Sequence, residues 1–191
     1  EVHLALRSPG ISHEPLDAAL ARVWGTQSPR RTFIFLQNQG LGSIPLAFAI
    51  FVAAHMPGDG LRPADYLGAL LLLIGIAGEA LADAQLTAFR TDAANKGRVC
   101  DVGLWRWSRH PNYFFEWFGW LAYPVIGISF SDPLSYPWGF AALLGPVFMY
   151  WILVYVTGIP PLEQQMLRSR GDRYRDYQSR TSRFFPLPPQ A

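Results

Sequence analysis

Long apolar stretches separated by short polar segments dominate the hydrophobic pattern of this chain. Four of them, at residues 33–56, 64–89, 113–130 and 138–156, are each close to the roughly 20 residues that a bilayer-spanning helix needs. They show little polar face, whereas the helices of a soluble bundle keep one. The pattern therefore predicts an all-α, polytopic integral membrane bundle with about four transmembrane helices, followed by a cytoplasmic C-terminal tail helix.

Positive charges are distributed unevenly around these four spans. Among the 16 Lys and Arg residues, only Arg62 lies between the first and second spans, and none lies between the third and fourth. All the others precede the first span, lie between the second and third, or follow the fourth. By the positive-inside rule that side is cytoplasmic, so we expect both ends of the chain inside. The outer connections are then short turns at residues 57–60 and 131–133.

Composition supports the membrane class. Half of the residues are hydrophobic, only 16% are charged, and seven Trp and thirteen Phe are many for 191 residues. The single cysteine excludes an intrachain disulfide and, with four scattered histidines, argues against a metal site. Because the chain opens with Glu1 and no signal pattern, we expect a segment before it. We divide the chain into an N-terminal cytoplasmic segment, residues 1–32, and a transmembrane domain, residues 33–191.

Polar residues form a stripe on each of two predicted spans, near the cytoplasmic surface. On the second span Asp83 and Arg90 are seven residues apart and share a face, and Arg109, Asn112 and Glu116 do the same at the start of the third. The stripes could pair with each other and specify helix packing. Alternatively they bind an anionic, hydrogen-bonding ligand, since Arg suits phosphate and the carboxylates suit ribose hydroxyls or an amide. A pocket with these groups fits a nucleotide cofactor.

Other features allow more than one interpretation. No G-x-G-x-x-G and no Walker pattern occurs, so neither a Rossmann nor a P-loop site is supported. His110 precedes a proline and marks a helix start. Residues 158–161 must break the fourth helix, after which Glu163 either caps the tail helix or contacts a ligand. Tyr174 and Tyr177 are either interface aromatics or ligand contacts.

Several motifs together resemble one known family. They are Lys96-Gly97-Arg98, then Gly103-Leu104-Trp105-Arg106-Trp107-Ser108-Arg109-His110-Pro111-Asn112-Tyr113 with Glu116, and in the tail Thr157-Gly158-Ile159-Pro160-Pro161-Leu162-Glu163 and Phe184-Phe185-Pro186. Over residues 67–189 they resemble the C-terminal region of the steroid 5-alpha-reductase superfamily, nearest to its uncharacterised bacterial membrane-protein branch. The Arg-His-Pro-x-Tyr core is also similar to isoprenylcysteine and phospholipid methyltransferases and to sterol C14 reductases.

The resemblance implies a helical membrane bundle that holds NADPH in a cytoplasmic cavity and passes hydride to the beta carbon of a conjugated enone. The cofactor-binding residues that it implies are Asp83, Arg90, Arg98, Asn112, Glu116, Glu163, Tyr174, Tyr177 and Arg180. To these we add Arg109, which precedes the third span. Two positions depart from the family. The first is Glu79, which stands where the family often has Asn. The second is the segment 1–32, which contains Glu14 but no Tyr to polarise a substrate carbonyl. Because of this second departure, the catalytic residues stay unassigned.

The sequence thus predicts an NADPH-dependent oxidoreductase acting on a CH–CH group of a lipophilic, steroid-like enone. The resemblance further implies a bacterial inner-membrane location. We expect a lipophilic small molecule and membrane lipids as partners, and neither metal nor nucleic acid. One alternative is an S-adenosylmethionine-dependent methyltransferase of a lipid or prenylated substrate, which the Glu163-Gln164 pair disfavours because such enzymes usually carry paired Glu in the tail. The other is a membrane scaffold without enzymatic activity.

Overall fold

A computed structural model of the chain describes residues 29–190. The chain divides into two units, Glu1–Ser43 and Ile44–Ala191. The described part of the first unit is the beginning of one helix, and the second unit contains all other elements. Most of the expected N-terminal segment, residues 1–32, lies outside the described residues.

The described residues form helices and no β-strand, which confirms the all-α prediction. An isolated bridge between Ser108 and Ser182 is the strand-like contact recorded there. The α-helices are α1 Pro29–Ala54, α2 Pro63–Thr91, α3 Pro111–Trp120, α4 Ala122–Gly127, α5 Leu144–Trp151, α6 Ile159–Arg170 and α7 Asp172–Arg180. Short 3₁₀ turns cover Ala93–Asn95, Gly103–Arg106 and Pro137–Leu143, and a π-helical turn covers Ile152–Val156.

Among residues 29–190, two helical stretches are long and apolar enough to cross a membrane, Pro63–Thr91 and Pro137–Arg170. In α1 the apolar part is shorter, Gln39–Ala54. The third predicted span is split, because the ring of Pro124 clashes with the backbone four residues earlier and α3 ends at Trp120. Four complete spans therefore remain a prediction.

Two details of the tail differ from the sequence prediction. Gly158 precedes α6 and the following prolines lie in its first turn, so the predicted helix break is confirmed. The tail contains two helices rather than one, since Gly171 between them has a φ of +53°, a left-handed conformation that glycine adopts readily. Glu163 lies in the second turn of α6, not at its start.

Helices α2 and α3 approach each other through glycine. Gly68, Gly75 and Ala82 are spaced seven residues apart on α2 and are its buried positions. A Cβ atom added at Gly75 would lie 2.8 Å from the Cα of Gly119 and 2.9 Å from the carbonyl oxygen of Phe115. This close contact of small residues is typical of helices that pack inside membranes.

The segment before α3 is attached to the end of α2. The backbone N–H of Leu104 donates to Gln85 Oε1 at 2.9 Å, and the indole N–H of Trp105 donates to the carbonyl of Ala82 at 2.9 Å. These bonds place the start of α3 beside the last turns of α2, where both predicted polar stripes lie.

Residues 181–190, which we call the C-terminal strap, run along the same segment. The N–H of Arg109 donates to the Ser182 carbonyl at 2.8 Å, and the N–H of Leu187 donates to the Trp107 carbonyl at 3.1 Å. Phe184 of the strap is buried against Val154 and Ile159, with Phe114 and Trp117 of α3 packed around them. The strap therefore ties the tail to the beginning of α3.

Candidate functional site

The two predicted polar stripes meet between α2 and α3. Asn112, in the first turn of α3, donates a hydrogen bond from Nδ2 to Asp83 Oδ1 at 3.1 Å. One turn further along, Glu116 of α3 and Glu79 of α2 line a common groove. Within the described residues, neither of these two carboxylates has a hydrogen bond or an ion pair. The stripes thus pair in part, and they leave acceptor groups available to a ligand.

The groove has a volume of about 180 Å³. Its apolar walls are formed by Leu72, Ile76, Phe115 and Trp120, its base by Gly75 and Gly119, and its polar groups belong to Glu79, Glu116 and Tyr123. Ligand pockets usually measure about 300–1,000 Å³. A groove of this size takes a ring-sized portion of a cofactor or substrate, and the rest must extend outside it.

A second cluster surrounds Arg109, which precedes α3. Its Nε donates to Glu163 Oε1 at 2.7 Å, and its Nη1 donates to the backbone carbonyls of Gln178 and Thr181 at 3.1 and 2.6 Å. Gln178 Nε2 also donates to Glu163 Oε2 at 3.0 Å. The side chains of Arg109 and Glu163 are only 10% and 14% exposed, so this ion pair is largely shielded from water.

His110 belongs to the same cluster. It occupies the N-cap position of α3, which confirms the predicted helix start, and its Nε2 lies 3.3 Å from Glu163 Oε1. Burial lowers the pKa of His110 below its usual value of 6.5, although the hydrogen bond to Glu163 raises it in part. The neutral ring is therefore favoured, with the hydrogen-bonded nitrogen as the donor to the carboxylate.

The two predicted tyrosines of α7 are buried. Tyr177 donates its hydroxyl hydrogen to the Trp105 carbonyl, and its oxygen also lies 3.3 Å from the Ser108 carbonyl. Burial raises the pKa of both Tyr174 and Tyr177, with the Glu163 charge adding to the shift at Tyr174. Both hydroxyls therefore stay protonated, and that of Tyr177 holds α7 against the segment before α3.

The remaining predicted residues lie on exposed segments. Arg98 contacts Asn95 at 3.3 Å, and Arg180 pairs with Asp176 at 2.9 Å and more loosely with Asp101 at 3.9 Å. Arg90, at the end of α2, is exposed and makes no hydrogen bond within the described residues. The predicted set thus separates into the groove residues, the cluster around Arg109, and three exposed arginines.

Sequence reasoning missed two participants. Tyr123 follows Glu116 by seven residues, a spacing that would have placed both on one helix face. Gln178 follows Tyr174 by four residues, so the same rule would have placed these two side chains on one face of α7. Neither residue belongs to the polar stripes that the sequence predicts.

The donor and acceptor groups present fit NADPH in kind. Carboxylates and an amide at Asp83, Asn112 and Glu116 match ribose hydroxyls and a carboxamide, and exposed guanidinium groups at Arg90 and Arg98 match phosphates. The ring-sized groove matches a nicotinamide rather than the whole cofactor. These chemical matches justify testing NADPH as the ligand.

Comparisons with known proteins give a family and one distant relative. The family described as "Protein of unknown function (DUF1295)" matches residues 2–181. An uncharacterised protein of the yeast Schizosaccharomyces pombe is 35% identical over 99 residues, which are 51% of this chain and 27% of the yeast protein. The matched part thus spans about a quarter of that relative's length. No solved structure matches the chain.

Proposed function

Because the chain belongs to the DUF1295 family, whose description states no activity, we propose a function from the site itself: a membrane-embedded, NADPH-dependent reductase of a lipophilic enone. One observation carries the proposal. Asp83 of α2 and Asn112 of α3 form a hydrogen bond between the two helices, and one turn further along α3 Glu116 lines a groove with apolar walls. The resemblance to the steroid 5-alpha-reductase superfamily assigns the same three residues to the cofactor.

The chain's own residues supply binding and orientation. NADPH, when bound, supplies a hydride to the substrate. Asn112 donates and accepts through its amide, Asp83 and Glu116 accept hydrogen bonds from hydroxyl or amide groups, and Arg90 and Arg98 neutralise phosphates. The apolar walls admit a substrate from the bilayer and exclude water, which strengthens each electrostatic contact. Holding the reacting atoms in near-attack geometry supplies much of the rate enhancement.

In this proposal the cluster around Arg109 positions the site. The Arg109–Glu163 pair holds α6 and α7 against the segment that leads directly into α3. Asn112 lies three residues after Arg109, so the same contacts fix the first turn of α3. Glu163, Tyr174 and Tyr177 then act on the cofactor site through α3 rather than through their own polar atoms. We also place both chain ends in the cytoplasm of a bacterial cell.

Thermal unfolding of the purified protein with candidate ligands tests the proposal. Ligand at 100 times its Kd stabilises a folded protein by about 2.7 kcal/mol. We expect NADPH to raise Tm in the wild type and Glu116→Gln to remove most of that rise. The matched control is Asp172→Asn, the same chemical change at a carboxylate on the exposed start of α7, which should retain the full shift.

Each other outcome contradicts the reductase. A shift with S-adenosylmethionine or S-adenosylhomocysteine and none with NADPH would indicate methyl transfer. No shift with any of these ligands would favour a scaffold whose charges only set topology. An equal loss of the shift in Glu116→Gln and Asp172→Asn would show that the groove does not hold the cofactor.

A further inference from the structure

Two contacts between α2 and α3 fix the level of the carboxylates in the groove. At one end the backbones cross closely, since a Cβ atom added at Gly75 would lie 2.8 Å from the Cα of Gly119. At the other end Asp83 accepts a hydrogen bond from the first turn of α3. Glu79 of α2 and Glu116 of α3 both lie between these two contacts, and both line the groove. The groove therefore contains two carboxylates at one level.

The protein does not balance this negative charge. Among the described residues that line the groove, none is Lys, Arg or His. Towards the cytoplasm, the next basic residue of α2 is Arg90, eleven residues after Glu79, which is about 16.5 Å along the helix axis. Carboxylates without a cation are costly where water is largely excluded. A ligand that brings a positive charge into the groove therefore supplies what the lining lacks.

The walls of the groove suit a flat organic cation. Aromatic rings line it at Phe115, Trp120 and Tyr123, and Trp120 packs against Tyr123 with a centroid distance of 5.1 Å. Aromatic rings attract a cation that lies over their faces. A cation between two carboxylates also favours their ionised forms, so the attraction and the charges support each other.

We infer that Glu79 makes the groove prefer the oxidised cofactor, an inference that rests on the function proposed above. That function places the nicotinamide in the groove and assigns Glu116 a hydrogen bond with the cofactor. The nicotinamide ring is neutral in NADPH and positively charged in NADP+, so a second carboxylate stabilises the bound oxidised form selectively. The resembled family often has the neutral Asn at this position, so the added charge distinguishes this chain.

This preference regulates the reductase through its own product. NADPH and NADP+ share their phosphates, ribose and adenine, so contacts to those parts do not distinguish them. Because NADP+ binds more tightly at the ring, it competes with NADPH for the same site. The fraction of protein loaded with NADPH then follows the ratio of reduced to oxidised cofactor in the cell, and Glu79 sets how steeply an oxidised pool slows the reaction.

Calorimetric titration of the full chain in lipid nanodiscs tests this inference. The ligands are NADP+, NADPH and 2′-phospho-ADP-ribose, which lacks the nicotinamide. We expect the wild type to bind NADP+ more tightly than NADPH. Glu79→Gln should raise the Kd of NADP+ about tenfold or more, because it removes one charge near the ring. The Kd of NADPH should not rise, and that of 2′-phospho-ADP-ribose should stay unchanged.

Two further variants serve as controls. Glu79→Asp keeps the negative charge and should retain most of the preference for NADP+. Asp172→Asn removes a carboxylate from the exposed start of α7 and should leave all three Kd values unchanged. Within the described residues Glu79 has no hydrogen bond or ion pair, so its replacement by Gln breaks no contact that holds the fold.

The outcomes separate this inference from the function on which it rests. Equal changes in the Kd of NADP+ and NADPH in Glu79→Gln overturn the inference alone, because Glu79 would not respond to the ring charge. A loss of preference in Glu79→Asp as large as in Glu79→Gln overturns it too, and so does weaker binding of 2′-phospho-ADP-ribose in Glu79→Gln. A wild type that binds none of the three ligands contradicts the proposed function, and the inference falls with it.

Discussion

Arg109 shows how one side chain can connect distant parts of this chain. Its contacts to Glu163, Gln178 and Thr181 span 54 to 72 residues of sequence. Glu163→Ala leaves the shielded guanidinium without its counter-charge, and breaking such a pair costs about 3–5 kcal/mol. We therefore expect a large fall in Tm, measured by thermal unfolding in detergent.

The control for that change is Asp172→Ala. Asp172 forms an ion pair with Arg175 that is fully on the surface, and exposed pairs contribute little. The Tm of this variant should equal that of the wild type. If Glu163→Ala kept its Tm and lost only the NADPH shift, the carboxylate would serve a ligand directly.

His110 predicts a pH dependence at the scale of one residue. Burial lowers its pKa in the folded protein, Glu163 partly offsets this, and the charges of Arg109 and Arg183 lower it further. Well above pH 6.5 the ring is neutral in both states, and pH has no effect on stability through it. As pH falls towards and below 6.5, His110 binds a proton more readily in the unfolded chain than in the folded protein, so the free energy of unfolding declines.

The measurement is Tm at intervals from pH 7.5 to 5.5 for the wild type and for His110→Gln. The variant should show a flatter profile over this interval. A wild-type Tm that rises on acidification, with a flat variant, would mean that the folded protein favours charged His110.

At the scale of elements, the contact of α2 with α3 is asymmetric between its two glycines. A methyl group at Gly75 meets backbone atoms 2.8 and 2.9 Å away, whereas one at Gly119 meets its nearest atom, the Gly75 Cα, at 3.9 Å. Gly75→Ala must push the helices apart, so it should lower Tm and weaken the NADPH shift. Gly119→Ala should retain the wild-type Tm or raise it, since alanine favours helix.

Thermal unfolding of the two variants side by side checks this asymmetry. The substitution is identical in both, so helix propensity does not distinguish them. Equal losses of Tm would show that α2 and α3 do not cross at this pair of glycines.

The elements also show which features a sequence can predict. The second span was expected at residues 64–89 and the helix is Pro63–Thr91, because an uninterrupted apolar run bounded by a proline has one plausible conformation. The third was expected as one span, and Pro124 divides it. Spacings of four and seven residues predicted the two polar stripes that meet through Asp83 and Asn112. No local spacing predicts that Arg109 pairs with Glu163.

At the scale of the whole molecule, the charge distribution predicts which face each connection occupies. Cys100 is buried; Cys100→Ala removes it so that single cysteines can be introduced. We expect Ser131→Cys to react with a membrane-impermeant maleimide on intact cells. Ser179→Cys should react only after permeabilisation, because both chain ends are expected in the cytoplasm.

The labelling pattern decides between the four-span arrangement and its alternatives. Reaction of both cysteines on intact cells, or of neither before permeabilisation, would place them on the same side of the membrane. Either result would contradict the four-span arrangement, which places an odd number of spans between each chain end and the turn at residues 131–133.

The long reach of Arg109 has a consequence for the time course of biosynthesis. Thr181, whose carbonyl accepts from Arg109, follows it by 72 residues. At 5–20 residues per second, a ribosome needs about 4–14 s to make that stretch. Until Glu163, the 54th of those residues, has been made, the nascent guanidinium lacks its counter-charge. We therefore expect water and, in a membrane-bound chain, anionic lipid headgroups to act as its temporary counter-ions before the protein supplies a permanent one.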